Sequence, residues 1–182
     1  MPHNPLNKHY PVLATPDAAL LPWLTHAGSL TAKLEGFCKH SDLTVLSQTW
    51  KESGWWANYH LGLVKQRVLE RTITLSAKAV PCWFARTLVP LQTYNAHQEL
   101  FERLRNESLG DIIFSEPAIS RLVLCHYPIT PHCIEFQWLP AAFAEQKTVF
   151  WARLSVYTIA CNRFYLIEIL LPGLLRAIDE SV

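Results

Sequence analysis

Glycine is scarce in this chain, six residues among 182 against twelve prolines, and several signatures that depend on it are missing. No Gly-x-Ser-x-Gly, P-loop or Gly-x-Gly-x-x-Gly occurs, so serine hydrolase, nucleoside triphosphatase and dinucleotide-binding readings lack their fingerprints. No Gly/Ser-rich linker, repeat or low-complexity tract divides the sequence. Charge excess is missing too: 16 Lys+Arg balance 15 Asp+Glu, a formal net charge of +1, which gives no support to nucleic acid as the main partner. No apolar run approaches the roughly 18 residues that span a bilayer, and Met1 to Pro11 has no apolar core of signal-peptide type. A cytoplasmic protein without membrane insertion is expected.

Cysteine pairs are absent in the same sense. The five cysteines, Cys38, Cys82, Cys125, Cys133 and Cys161, are odd in number and dispersed, with no Cys-x-x-Cys, so no disulfide framework is expected. Cys125-His126 and His132-Cys133 are directly adjacent pairs, not the two-to-four-residue gaps typical of zinc ligands. No zinc site is anticipated from these spacings.

What is present is apolar. Half of the residues are hydrophobic and 17% are charged, which excludes disorder for the bulk of the chain and fits one core. A loose arm over 1–15 and a single domain over 16–182 are expected. Thr15-Pro16-Asp17 predicts a helix start running toward Leu24. Ser29 caps a second helix through Leu30, Lys33, Leu34 and Phe37. Asn95 with Gln98, and Ser108 with Asp111, read as capping boxes, the latter opening a helix at Leu109. Strand-like runs are Val68 to Ser76, Trp83 to Val89, Ala118 to Cys125, Trp151 to Ala160 and Phe164 to Leu171. Helices first and strands later, without βαβ alternation, predict an α+β fold with a single antiparallel sheet.

Two charges break the pattern. Strand alternation puts Arg71 on the face of Leu69, Ile73 and Leu75, where a guanidinium either finds an anionic partner or snorkels from an edge to water. Glu168 lies within Phe164 to Leu171 with apolar neighbours on both sides, so it is paired, protonated or part of a site, and desolvation would raise its pKa. Helix starts at Leu30 and Leu109 add free backbone N–H groups, which suit a carboxylate; ordinary capping by Ser29 and Ser108 is the plain alternative. An acid and a base buried on different strands describe a pocket for a small charged ligand. Trp55-Trp56 and Trp138 line either a binding surface or the core.

These residues carry a resemblance. Trp23-Leu24 with Gly28-Ser29-Leu30-Thr31 resembles the opening motif of bacterial chorismate lyases. Arg71 to Pro90, with Trp83, Phe84, Ala85, Arg86, Thr87 and Pro90, resembles their paired-strand segment. Ser108-Leu109-Gly110-Asp111-Ile112-Ile113-Phe114 resembles their Pro-Leu-Gly turn, with Ser108 in place of the common proline. Trp151-x-Arg153-x-Ser155 and Glu168 to Pro172 resemble their closing strands. The motifs stand in family order from Trp23 to Pro172.

The resemblance implies an antiparallel sheet with helices packed on it and flap-like helices over an enclosed site. It implies elimination of pyruvate from chorismate to give 4-hydroxybenzoate, the first committed step of ubiquinone biosynthesis, by a monomer needing no cofactor. It assigns the ring carboxylate to Arg71 and the Leu30 and Leu109 amides, and the ring hydroxyl to Glu168. Arg86 or Arg153 is expected at the enolpyruvyl carboxylate on charge complementarity alone. Tyr127 to Thr148 is longer than the family's connection and is expected to remodel the flap or mediate a contact. The same fold serves some transcription regulators as an effector-sensing module, normally behind a DNA-binding domain. With about twenty residues before Trp23, the enzyme is the expectation and a non-catalytic aromatic-acid binding module the alternative.

Overall fold

The structure, a computed structural model, describes residues 15–144 and 148–179; the arm expected over 1–15 falls outside them except for Thr15. Six strands form one antiparallel sheet, β1 (Asp42–Glu52), β2 (Arg67–Ala77), β3 (Val80–Pro90), β4 (Ile119–Ile129), β5 (Phe150–Ile159) and β6 (Asn162–Leu170), in the order β1-β2-β3-β6-β5-β4. The helices are α1 (Leu21–Leu24), α2 (Leu30–Cys38), α3 (Trp55–His60), α4 (Leu91–Ala96), α5 (Gln98–Glu102), α6 (Leu109–Ser115), α7 (Ala141–Ala144) and α8 (Gly173–Asp179). This is the α+β architecture expected from the run of strands.

Both faces of the sheet are buried. Leu69, Leu75, Trp83, Ala85, Tyr157, Phe164 and Leu166 join Leu24, Leu34, Phe101, Ile112 and Leu174 from the helices in one core. Phe84, Leu88, Leu154, Tyr165, Ile167 and Ile169 meet Trp56, Phe136 and Leu139 in a second core on the other side. Period-2 alternation sends successive residues of β3 and β6 to opposite cores, so an apolar run such as Phe164 to Leu171 fills both.

The two tight hairpins are turned without glycine. Lys78 and Ala79 between β2 and β3, and Ala160 and Cys161 between β5 and β6, all take positive φ, from 44° to 68°, the handedness that suits a two-residue loop between twisted strands. Gly173 is required by proximity: a Cβ there would stand 2.1 Å from the Pro81 carbonyl oxygen, so α8 can start directly against β3.

Several expectations are corrected. α1 begins at Leu21 rather than at Pro16, with only a turn at Asp17, whose Oδ1 accepts the Ala19 N–H at 2.8 Å. Pro22 sits in the first turn of the observed helix, and a helix from Pro16 would have carried it in the interior, where its missing N–H breaks the ladder. Asn95 is not a cap: it lies inside α4, and the helix is interrupted at His97 before α5. β1 escaped the sequence reading because a bulge between Val45 and Ser47 shifts its phase; Leu43 and Trp50, seven residues apart, both pack on the first core, which no strict alternation predicts.

The described part of the Tyr127 to Thr148 segment packs away from the flaps. It finishes β4, then lays Phe136, Leu139 and Trp138 on the second core, opposite α2 and α6.

Candidate functional site

The pocket lies on the first face, under the N-terminal ends of α2 and α6. Gly28, Ser29, Leu30, Ser108, Leu109 and Gly110 line it from above, and Arg71, Ala85, Thr87, Arg121, Arg153 and Glu168 rise from the strands. Leu43, Ile73, Trp83, Ile113, Tyr157 and Leu166 supply apolar walls. All four residues singled out in the sequence therefore line one cavity. It holds about 40 Å³, room for a few waters.

Arg71 stands in the middle of β2, opposite Thr87 of β3, and is 2% exposed. Its Nη2 donates to the Glu107 carbonyl oxygen at 3.2 Å, while its buried Nε has no hydrogen-bond partner. No carboxylate lies within 4 Å of it among the described residues. Burial pulls its pKa below the usual arginine value, yet a guanidinium stays charged at any physiological pH. The anionic partner expected from the sequence is not supplied by the described residues.

Glu168 occupies β6 between Ala85 of β3 and Arg153 of β5 in register. Arg153 Nε stands 2.9 Å from Glu168 Oε2, close enough for an ion pair but off-line for a hydrogen bond, so both atoms lack hydrogen-bond partners. Burial raises the Glu168 pKa, against the pull of Arg153 and then Arg121 in the opposite direction. Desolvation therefore outweighs the two guanidiniums in setting the direction of the shift.

Two capped helix starts complete the cavity. Ser29 Oγ accepts the Ala32 N–H at 3.2 Å and Ser108 Oγ accepts the Asp111 N–H at 3.0 Å. Each cap satisfies the third amide of its helix, leaving the amides of Leu30 and Leu109 at the first position without a helical acceptor. The two starts abut: a Cβ on Gly110 would lie 3.1 Å from Ser29 Oγ.

Arg121 escaped the sequence reading. The β4 bulge between Arg121 and Val123 changes the phase of the strand, so Arg121 faces the pocket although Cys125, Tyr127 and Ile129, of the same parity, pack on the second core. Its Nη1 donates to the Ala27 carbonyl at 2.7 Å and its Nη2 to the Tyr157 hydroxyl at 2.6 Å. Arg153 Nη1 donates to the Trp23 carbonyl at 3.0 Å. Two arginines that line the pocket therefore also tie down the α1–α2 segment covering it.

Arg86 is not in the pocket. Its side chain points to the second core, where Nε donates to Glu70 Oε2 at 2.7 Å and the guanidinium lies 4.0 Å from the centre of the Trp138 ring. The expectation placing it at a substrate carboxylate is corrected by strand parity, which sends Arg86 and Ala85 to opposite faces. Among the described residues no group of three or more His, Cys, Asp or Glu gathers as for a metal ion.

Chemically, three guanidiniums face one carboxylate in a desolvated cavity with two spare backbone donors. Such a lining favours a compact dianion and keeps one acid close to it.

Comparison with known proteins adds to this geometry. A family model described as chorismate lyase matches residues 1–177. A protein named probable chorismate pyruvate-lyase in Nitrosomonas europaea is 27% identical over 174 residues, covering 95% of this chain and 98% of its own. One of the same name in Aromatoleum aromaticum is 29% identical over 178 residues, covering 96% of each. Among solved structures, the effector domain of PhnF from Mycobacterium smegmatis superposes with a TM-score of 0.55 at 19% identity, over 80% of this chain and 89% of that one. A GntR-family transcriptional regulator from Bacillus cereus gives 0.53 at 15% identity, over 72% and 92%. At these identities the two structures speak for the fold alone.

Proposed function

This chain belongs to the chorismate lyase family, and from that premise we propose that it eliminates pyruvate from chorismate to give 4-hydroxybenzoate, serving ubiquinone biosynthesis as a monomer in the cytoplasm. The observation that carries the reading is the pocket's charge: Arg71, Arg121 and Arg153 against the single Glu168, in a small cavity with apolar walls. Chorismate is a small dianion, and this excess of cations matches it. No helix among the described residues is long and apolar enough to cross a membrane.

In this reading the ring carboxylate takes the place of the missing partner of Arg71, with the Leu30 and Leu109 amides as additional donors. Glu168 sits at the ring's hydroxyl end and takes part in moving the proton lost from C4 as the C–O bond to the enolpyruvyl group breaks. The released enolpyruvate becomes pyruvate, and the ring becomes aromatic. Aromatisation favours the products, so the protein's share is to orient the substrate and to stabilise charge. A raised Glu168 pKa suits a group that takes up and passes on a proton. Arg153, beside Glu168, is the better placed candidate for the enolpyruvyl carboxylate now that Arg86 faces away. Because the cavity is small, entry requires the segments holding Gly28–Thr31 and Ser108–Phe114 to move outward.

The test is direct: purified protein is incubated with chorismate, and 4-hydroxybenzoate and pyruvate are followed together. Equal amounts of both support the lyase, with activity surviving exhaustive chelation. Binding of 4-hydroxybenzoate with no pyruvate released from chorismate makes the chain a non-catalytic aromatic-acid binder instead.

A further inference from the structure

The connection from β1 to β2 is a closed loop with an unusual outer side. At its base Ser53 N–H donates to the Gln66 carbonyl at 2.7 Å, and Gln66 N–H donates to Ser53 Oγ at 3.1 Å. Ser53 Oγ in turn donates to Asn58 Oδ1 at 2.6 Å. Its inner side is anchored as well: Trp56 and Ala57 are buried in the second core, Leu61 and Leu63 pack against it, and Trp56 Nε1 donates to the buried Glu135 at 2.7 Å. This is the construction of an Ω-loop, a compact excursion filled by its own side chains.

Outward, the same loop holds Trp55 at 63%, Tyr59 at 61% and Val64 at 80% exposure. The Trp55 and Tyr59 rings lie parallel, 6.0 Å apart, and share a shallow groove with Lys65. Between Ser53 and Gln66 there is no Asp or Glu, only Lys65 and His60 among charged or titratable groups other than Tyr59. At the base, Glu52 stands opposite Arg67 in register.

Nothing within the chain requires two large rings to remain in water, since burial of each is favourable by about 1.5–3 kcal/mol. A protein partner is a poor match for the patch. An aromatic side chain presents at most about 150–250 Å², so three partly exposed side chains fall short of the about 800 Å² that each partner of a stable interface buries. A lipid surface makes no such demand, because amphipathic rings settle singly at the headgroup level while a neighbouring lysine meets phosphate.

We propose that the Ser53–Gln66 loop docks this protein reversibly on an anionic lipid surface, with Trp55, Tyr59 and Val64 entering the headgroup boundary and Lys65 facing the lipid phosphates. The loop packs on the sheet face opposite the pocket, so docking leaves the pocket uncovered. The proposal does not depend on what the pocket turns over.

The experiment sediments the purified chain with vesicles of phosphatidylcholine mixed with phosphatidylglycerol and with vesicles of phosphatidylcholine alone. The expected result is binding to the mixed vesicles, weakened by raised salt, and at least about tenfold weaker binding of W55S/Y59S and of K65E. Quenching of tryptophan fluorescence by lipids brominated near the headgroup should be lost in W55S/Y59S. Chorismate turnover and circular dichroism of these variants should match the unchanged protein, since all three residues lie outside the pocket. Wild type left in the supernatant with both vesicle types, or W55S/Y59S binding as well as wild type, overturns the proposal. So does a dimer in solution that W55S/Y59S dissociates while vesicles are ignored, because the surface then serves a second copy of this chain.

Discussion

Each face of the sheet buries an arginine against a glutamate, and the two pairs have opposite consequences. On the second face Glu70 is held by both Arg86 and Lys51, with Trp138 lying over the Arg86 guanidinium. Arg86 Nη1 is also without a hydrogen-bond partner, but the ion pairs and the Trp138 ring leave no cavity beside it among those lined by described residues. On the first face Glu168 has Arg153 at ion-pair distance but no aligned hydrogen bond, Arg71 has no carboxylate at all among the described residues, and a cavity separates them. A buried ion pair is therefore weak evidence for a site. Unsatisfied donors around empty space are the stronger sign.

This contrast can be broken by substitution. Arg71→Leu should lower kcat/KM for chorismate by two to three orders of magnitude, about 3–4 kcal/mol of transition-state binding, while thermal melting stays unchanged or rises because an unpaired buried cation is gone. Retained turnover in a pyruvate-coupled assay would make Arg71 structural. Arg86→Leu should do the reverse, costing about 1–3 kcal/mol in urea unfolding because Glu70 keeps only the half-exposed Lys51 as partner, with kcat/KM near wild type at a temperature where the variant is folded.

Glu168→Gln should reduce kcat about 100-fold and change 4-hydroxybenzoate affinity much less, as seen in single-turnover and binding measurements. It also carries a pH signature. Burial raises the folded-state pKa of Glu168 above 4.5, so the folded chain keeps this proton at pH values where the unfolded chain has lost it. Its contribution to stability is present below the unfolded value and is lost as pH rises through the folded one. Urea unfolding of wild type and Glu168→Gln at several pH values should show the difference moving in favour of the variant from acid to neutral pH; a constant difference contradicts the raised pKa. The smallest effect belongs to Ser108→Ala, which removes the α6 cap and should cost about 1 kcal/mol, with 4-hydroxybenzoate affinity falling more than for any cap-neutral change in α4.

Much of this was legible before folding. The fold class followed from the order of helices and strands, and Arg71 and Glu168 stood out because each interrupts an apolar pattern that one strand alone can display. Ser29 and Ser108 announced their helices by local hydrogen bonding, which needs no tertiary partner. What stayed hidden on the strands shares one cause. The bulges at Leu46 and Leu122 shift strand phase, so β1 lost its alternation and Arg121 acquired the wrong face. The failed cap at Asn95 and the short α1 have local reasons, an interruption of the helix at His97 and Pro22 in the first turn.

The sequence by itself determined which residues are out of place: a cation and an acid in apolar strands, and two capped helix starts. Those are properties of neighbours along the chain, fixed by periodicity and by short-range hydrogen bonds. Only the tertiary structure decided which arginine meets which glutamate. Arg153 reaches Glu168 because β5 and β6 pair in that register, Arg86 reaches Glu70 because parity turns it to the far face, and Arg71 is left facing a cavity. Pairing across strands depends on register and on bulges, and neither is written in the order of residues along any single strand.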